Sequence, residues 1–194
     1  MKFNDATLAQ IYAANPIKNT WVSANAGSGK TRVLTDRVAR LLLNNTDPQK
    51  ILCLTYTKAA AAEMQNRLFD SLGKWAMLPD EELRTELKSL GENENILSPD
   101  KIKQARTLFA AALETPGGLK IQTIHSFCDA LLRRFPLEAG VSPQFNMLEE
   151  RQAKQLRIEV VERMALQSET SEIDMLAKHL TRLNTDDLTN EIVK

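Results

Sequence analysis

Apolar residues in the first part of the chain follow the spacings of alternating strands and helices. Residues 19–23 have the composition of a short strand. Residues 30–44 place apolar side chains every three or four positions, as an amphipathic helix does, and residues 58–75 repeat that pattern. Residues 51–55 are almost entirely apolar and lie between chain-breaking residues, which is typical of a strand buried in a parallel sheet. The order strand, helix, strand, helix predicts a doubly wound parallel α/β fold.

Shorter segments on either side extend this order. Residues 5–14 have a helical pattern that Asn4 or Asp5 would cap. Residues 119–124 predict a further strand, and residues 125–134 predict the helix that follows it. The sheet is therefore expected to continue after the first two strands.

Two stretches have helical patterns without any strand. Residues 79–115 are acidic, and within them Ser98 and Pro99 have the residue types that begin a helix. Helical patterns return from residue 147 and again over residues 173–183. We therefore expect an α/β core that helices interrupt, followed by a helical subdomain.

Composition and charge narrow this picture only slightly. The chain has 194 residues, 43% of them hydrophobic and 26% charged, as in a soluble globular protein. Its formal net charge is zero, so no global basic field indicates a nucleic-acid partner. Over residues 1–75, however, ten Lys and Arg face five Asp and Glu. That bias suits a polyanionic ligand, although solvated helix faces would have the same composition.

The cysteines and the apolar runs indicate a cellular compartment. Cys53 and Cys128 each lie in an apolar run without metal-ligand spacing, which predicts buried, reduced thiols in a cytosolic protein. The first residues contain no apolar leader, and no apolar stretch approaches the roughly 20 residues that span a bilayer. We therefore expect a cytoplasmic chain with no membrane partner.

The segment A-N-A-G-S-G-K-T, residues 24–31, joins the first predicted strand to the first long helix. Glycines at such a junction let successive backbone N–H groups point into one hollow that accepts phosphate oxygens, and the helix start adds its dipole. Lys30 would reach the β- and γ-phosphates, and the hydroxyl of Thr31 would complete a Mg²⁺ shell. The general pattern G-x-x-x-x-G-K-[ST] has glycine where this chain has Ala24, so the match is to a sub-type. The alternative is an ordinary Gly/Ser turn.

Two later segments carry a resemblance to a known family. L-T-Y-T-K-A-A-A-A-E-M (residues 54–64) and I-Q-T-I-H-S-F-C (residues 121–128) each follow a predicted strand. With the phosphate loop, they resemble the UvrD/Rep group of superfamily 1 DNA helicases, which accept alanine at the first loop position. The segments correspond to that group's motifs Ia and Ib. The continuation R-R-F-P-L-E-A-G-V and the long helical stretch between the motifs are similar to the AddA/RecB branch, with wording closest to AddA.

The resemblance implies a fold and a domain organisation. The fold would be a P-loop NTPase of the RecA-like kind, an α/β parallel sheet with helical insertions, followed by the start of an α-helical subdomain. The expected domains are these: residues 1–75, the N-terminal part of the ATP-binding motor domain; residues 76–118, a helical insertion; residues 119–146, the continuation of the motor domain with motif Ib; residues 147–194, the start of a helical subdomain that the chain end truncates.

The resemblance also implies a nucleotide site for ATP and Mg²⁺. Its residues would be Gln10, Ala24, Asn25, Ala26, Gly27, Ser28, Gly29, Lys30 and Thr31, with Lys30 and Thr31 serving the reaction and Thr31 binding the metal. Gln10 corresponds to the glutamine that reads the donor–acceptor edge of adenine in these helicases. A surface glutamine on a short helix is the alternative.

A DNA site is implied at the two other motifs. Its residues would be Thr55, Tyr56, Thr57, Lys58, Thr123, His125 and Ser126. Tyr56 would stack on a base of the single strand along which the motor moves, and its neighbours would hold phosphates. The alternatives are a Tyr56 packed into the core, a structural His125 and a Ser126 that caps a helix.

The sequence lacks a D-E-x-Q-D type segment after a strand, and Asp186-Asp187 has no apolar strand before it. We therefore expect the front portion of a longer protein, unable by itself to hydrolyse ATP. In the family, such a protein would be a helicase, with a nuclease, that processes double-strand DNA ends for repair alongside an AddB-like second subunit. The alternatives are a stand-alone UvrD/Rep helicase, a P-loop kinase and a non-enzymatic nucleotide-binding or DNA-binding module.

Overall fold

The computed structural model describes residues 4–23, 25, 27 and 29–166 of the chain. Residues up to Leu131 form one compact unit, and residues from Leu132 onward form another. The helix predicted over residues 173–183 and the pair Asp186-Asp187 lie outside the described residues. The helices and strands, in chain order, are α1 (Asp5–Ala13), α2 (Lys30–Leu43), β1 (Leu52–Thr55), α3 (Lys58–Met77), α4 (Asp80–Ser89), α5 (Pro99–Leu113), β2 (Lys120–Thr123), α6 (Ile124–Arg134) and α7 (Glu150–Leu166).

Strands β1 and β2 pair in parallel, in a register that places Leu52 beside Lys120 and Thr55 beside Thr123. Three helices, α3 to α5, connect one strand to the other. Parallel neighbours need such a long connection, because the chain must return to the starting edge of the sheet. The prediction of an α/β fold with parallel strands is confirmed for this pair.

Local capping chemistry begins several helices where the sequence predicted. The side chain of Asn4 accepts a hydrogen bond from the backbone N–H of Thr7 at 2.8 Å, so Asn4 rather than Asp5 caps α1. Ser98 likewise accepts from the N–H of Lys101 at 3.3 Å and precedes Pro99, which opens α5. These side chains satisfy N–H groups that the first turn of a helix leaves without partners.

One hydrophobic core joins α2, α3, α4 and α5 to one face of the two strands. Leu68, Leu72 and Trp75 of α3 lie at its centre and are almost completely buried. Helices α4 and α5 contribute buried apolar side chains of their own, which are Leu83, Leu87, Ile102, Ala105, Leu108 and Ala112. The helical segment between the strands therefore shares a core with the helix that follows the glycine-rich loop.

The strand predicted over residues 19–23 is absent: the segment is irregular, and Trp21 is 93% exposed. The prediction was wrong because a strand needs a neighbour that completes its hydrogen-bond ladder. In the part of the chain that the structure describes, the sheet consists of β1 and β2 alone.

The two cysteines differ in exposure, and the prediction that both are buried was wrong for Cys128. Cys53 points into the core from β1 and is 5% exposed, whereas Cys128 is exposed on α6. The described residues of α6 include no buried side chain, so its apolar run does not cover Cys128. Both thiols are free, as predicted.

No helix within the described residues is long and apolar enough to cross a membrane.

The two thiols are expected to differ in reactivity. Burial raises the pKa of Cys53, which lowers its thiolate fraction and also blocks reagents. Under native conditions, Cys128 should react with a maleimide at least about tenfold faster than Cys53. Peptide mapping by mass spectrometry after timed quenching measures both rates. Equal rates would contradict the burial of Cys53, and full denaturation should equalise them as a control.

The packing of α5 predicts unequal effects of one substitution at two positions. Leu108 faces the core and is 7% exposed, whereas Leu113 on the same helix is 64% exposed. Leu108→Ala should lower the free energy of unfolding by about 2–5 kcal/mol because it leaves a cavity. Leu113→Ala should change it by less than about 0.5 kcal/mol. Urea denaturation measures both, and a similar loss for the two variants would show that α5 does not pack as described.

Candidate functional site

The glycine-rich loop precedes α2 and has a backbone that only glycine adopts easily. Gly27 has φ +77° and Gly29 has φ +85°. A side chain at Gly27 would meet nothing within 4 Å, so the conformation rather than crowding requires glycine there. Turns of this kind direct backbone N–H groups into an anion-binding hollow. Ala24, Ala26 and Ser28 lie outside the described residues.

The first turn of α2 adds positive charge to this loop. Helix α2 begins at Lys30, directly after Gly29, and its first turn contains no acidic residue. The Nζ of Lys30 donates a hydrogen bond to the backbone carbonyl of Asn25 at 2.6 Å, which holds the ammonium group over the loop. Thr31 follows in the same turn. The positive end of the helix dipole and an ammonium group therefore meet at one place, as an anion site requires.

The side chain of Gln10 reaches this loop from α1. A Cβ placed on Gly29 would lie 3.2 Å from the Nε2 of Gln10. Nineteen positions separate the two residues in the sequence, so the folding of α1 against α2 brings them together. The structure thus places an amide with both donor and acceptor atoms beside the phosphate loop.

Arg37 of α2 holds the chain segment that connects α1 to the loop. Its guanidinium donates to the backbone carbonyl of Asn15 at 2.5 Å and to that of Lys18 at 2.7 Å. Longer hydrogen bonds reach the carbonyls of Ala13 and Pro16. One side chain therefore satisfies several carbonyls beyond the end of α1.

Arg40, one turn further along α2, is buried and holds α1 itself. Its Nη1 donates to the backbone carbonyl of Ile11 at 3.1 Å, and its Nε pairs with the carboxylate of Glu92 at 2.9 Å. A third bond reaches the carbonyl of Gly91 at 3.4 Å. The side chains of Arg40 and Glu92 are only 9% and 7% exposed, so each charge depends on the other.

A further carboxylate lies near this group on α2. Burial raises the pKa of Asp36, and the charges of Arg32 and Arg40 oppose that rise without cancelling it. Arg32 pairs with Asp36 along the helix at 3.7 Å.

The second group of candidate residues follows the carboxyl ends of β1 and β2. Thr55 and Thr123 are register partners, so the segments that follow them begin at one edge of the sheet. Tyr56 directly follows β1 and is 80% exposed, which excludes the alternative of a ring packed in the core. His125, in the first turn of α6, is exposed as well. The structure therefore presents an aromatic ring and an imidazole to solvent near one sheet edge.

The threonines around Tyr56 organise the turn that presents it. The hydroxyl of Thr55 donates to the backbone carbonyl of Thr57 at 3.0 Å. The hydroxyl of Thr57 in turn accepts from the N–H of Ala60 at 3.1 Å and caps α3. Lys58, the first residue of α3, is exposed.

Thr123 has a comparable local role at the start of α6. It is 7% exposed, and its hydroxyl accepts from the N–H of Ser126 at 3.1 Å. The two hydroxyls also share a hydrogen bond of 2.9 Å. The structure thus engages Thr123 in helix capping, whereas Ser126 and His125 are exposed.

Comparison with known proteins decides the family. The family described as UvrD/REP helicase N-terminal domain matches this chain over residues 5–194. The chain belongs to the UvrD/Rep helicase family. The match covers the phosphate loop, the Tyr56 segment and the His125 segment, on which the resemblance in the sequence depended.

Several curated relatives within this UvrD/Rep family are named as ATP-dependent helicase/nuclease subunits of the same type. The relative from Desulforudis audaxviator is 37% identical over 148 residues, which is 75% of this chain and 10% of that protein. The relative from Listeria monocytogenes serotype 4a is 33% identical over 172 residues, which is 87% of this chain and 12% of that protein. The chain therefore spans about a tenth of the length of the curated relatives that it matches.

Sequence analysis of this UvrD/Rep family member missed Arg37 and Arg40. Both lie within the pattern of α2, where a basic residue resembles an ordinary solvated one. The available signal was their spacing: Arg40 follows Val33 by seven positions, on the apolar side of the helix. The burial of Arg40 depends on residues 91 and 92, which no local pattern connects to α2.

Proposed function

We propose that this chain is the ATP-binding and DNA-binding portion of an ATP-dependent DNA helicase of the helicase–nuclease kind. The observation that carries the proposal is the joint placement of the phosphate loop, Lys30 and Gln10 in the unit that also presents Tyr56. The names of the relatives support it. The whole protein would unwind and process double-strand DNA ends for recombinational repair, in the cytoplasm and together with an AddB-like second subunit.

The phosphate loop fits the triphosphate of ATP. Gly27 and Gly29 leave room for phosphate oxygens to approach the backbone, and the ammonium group of Lys30 lies over the loop. Residues 24–31 would surround the β- and γ-phosphates with N–H donors, and Lys30 would neutralise their charge. Thr31 offers one oxygen to Mg²⁺, which when bound would offset phosphate charge. Lys30 would exchange its bond to Asn25 for phosphate oxygens.

Gln10 is proposed to select adenine. Its amide lies beside Gly29, at the end of the loop nearest α1. A glutamine amide can donate to N7 and accept from the N6 amino group of adenine, whereas guanine presents two acceptors on the same edge. The selection would therefore come from one mismatched acceptor pair.

The exposed residues after β1 and β2 are proposed to bind single-stranded DNA. Tyr56 would stack on a base, which is independent of sequence and suits movement along any strand. Lys58 and the backbone near Thr55 and Thr57 would hold phosphates, and His125 and Ser126 would contact the backbone from α6. Thr123 would act through the start of α6, because its hydroxyl is bonded to Ser126.

The domain organisation is proposed on the same basis. Residues 1–75 and 119–146 would belong to a RecA-like motor domain, and residues 76–118 to a helical insertion. Residues 147–194 would begin a helical subdomain. The parallel pair β1 and β2 supports the first assignment, and α7 supports the last.

Nucleotide binding by this chain should depend on Lys30. Lys30→Ala removes charge-assisted bonds to phosphate and should weaken binding of a fluorescent ATP analogue by about 1.5–3 kcal/mol, about tenfold or more. Fluorescence titration in Mg²⁺ measures the dissociation constants. Lys50→Ala is the matched control, because Lys50 is exposed before β1, at the opposite end of the strand from Tyr56. Equal binding by parent and Lys30→Ala would overturn the nucleotide assignment.

Binding of single-stranded DNA should depend on the ring of Tyr56. Tyr56→Ala should weaken binding of an oligothymidine by about 1–3 kcal/mol, whereas Tyr56→Phe keeps the stacking surface and should bind nearly as the parent does. Fluorescence anisotropy at several salt concentrations measures affinity and its salt dependence.

Met77→Ala is the control for the Tyr56 measurement. Met77 is 87% exposed, but it lies at the far end of α3 from Tyr56. Its removal should leave DNA affinity unchanged. Binding that survives Tyr56→Ala, or that Met77→Ala weakens equally, would count against a DNA site at this edge.

A further inference from the structure

The loop at Gly91 and Glu92, between α4 and α5, contacts the helix that carries Gln10. Gly91 has φ +97°, and a Cβ there would overlap the Cγ2 methyl of Ile11. Ile11 is the residue next to Gln10 in α1. The loop therefore touches α1 directly, at the position adjacent to the proposed adenine reader.

The buried pair of Arg40 and Glu92 makes the same connection from α2. Glu92 binds the Nε of Arg40, and this leaves Nη1 of Arg40 directed at the carbonyl of Ile11. Arg40 lies on the helix that the phosphate loop begins. One guanidinium thus fixes α1 relative to α2, and it does so only while Glu92 holds its other side.

We propose that Arg40, Glu92 and Gly91 are positioning residues that set the adenine selectivity of the nucleotide site by holding Gln10 against Gly29. The inference rests on the proposed nucleotide site. It assigns to the segment between the two strands a role in choosing the base, although that segment contributes no residue to the phosphate loop. Phosphate binding should not depend on it, because Lys30 and Thr31 belong to α2 itself.

The proposal predicts that base selectivity and phosphate affinity separate. Gln10→Ala should lower the preference for ATP over GTP by about 5- to 150-fold, the usual value of a bidentate contact to a base. Glu92→Gln and Gly91→Ala should lower the same preference, by a loosened Arg40 and by a displaced Ile11 respectively. Affinity for tripolyphosphate should stay within about twofold of the parent in all three, because distant effects add independently.

Glu94→Gln is the matched control for Glu92→Gln. It removes the same charge from the same segment, but Glu94 is 73% exposed and pairs with Lys88 at the surface. Its preference for ATP should equal that of the parent. The double variant Gly91→Ala with Gln10→Ala should be no less selective than Gln10→Ala alone, because both changes act through one amide.

Titration calorimetry with ATP, GTP and tripolyphosphate, on chains checked by circular dichroism, gives these ratios. A folded Gly91→Ala or Glu92→Gln variant with the selectivity of the parent would overturn the proposal, and so would an equal loss for all three ligands. If the parent binds none of them, the proposed nucleotide site fails instead. Hydrogen exchange of the α1 amides then decides the positioning role: it should quicken in Gly91→Ala and not in Glu94→Gln. Unchanged exchange, or global unfolding of Gly91→Ala without selective loosening of α1 at low denaturant, would contradict that role.

Discussion

Arg40 lies within the protein with its guanidinium almost fully removed from water, and a charge in that position is tolerated only when partners surround it. Glu92 supplies the opposite charge, and the carbonyl of Ile11 takes a remaining donor. These partners come from α1 and from the loop after α4, so the pairing requirement determines where both segments lie against α2. The placement of Gln10 beside the phosphate loop depends on it.

The parallel pair β1 and β2 imposes the second constraint. Since its carboxyl ends coincide at Thr55 and Thr123, two segments distant in sequence begin side by side. Their threonine hydroxyls are bonded within the turns and helix starts, which leaves Tyr56, Lys58 and His125 at the surface. Helix α3 begins directly after Tyr56 and packs on α2, so the proposed DNA and ATP sites lie on neighbouring helices of one core. Such packing could transmit a change at one site to the other.

Features encoded within a few residues were predictable from the sequence. Ser98 and Pro99 begin a helix, and the apolar spacing of α2 and α3 predicts their extents, because caps and periodicity are local. The strand over residues 19–23 was predicted wrongly because its existence depends on a ladder partner elsewhere. Cys128 was predicted wrongly because burial depends on what packs against α6. The UvrD/Rep family was predicted correctly, since its motifs are contiguous. The contact of Gln10 with Gly29 and the pairing of Arg40 with Glu92 join distant segments, and only the structure shows them.

The central claim is that folding brings the amide of Gln10 to the phosphate loop so that one site recognises both ends of ATP. A crystal structure of this chain with a non-hydrolysable ATP analogue and Mg²⁺ tests it most directly. The account predicts the triphosphate within residues 24–31, next to Lys30, and the adenine edge within hydrogen-bonding distance of Gln10. An analogue bound elsewhere, or one whose adenine points away from α1, would contradict it.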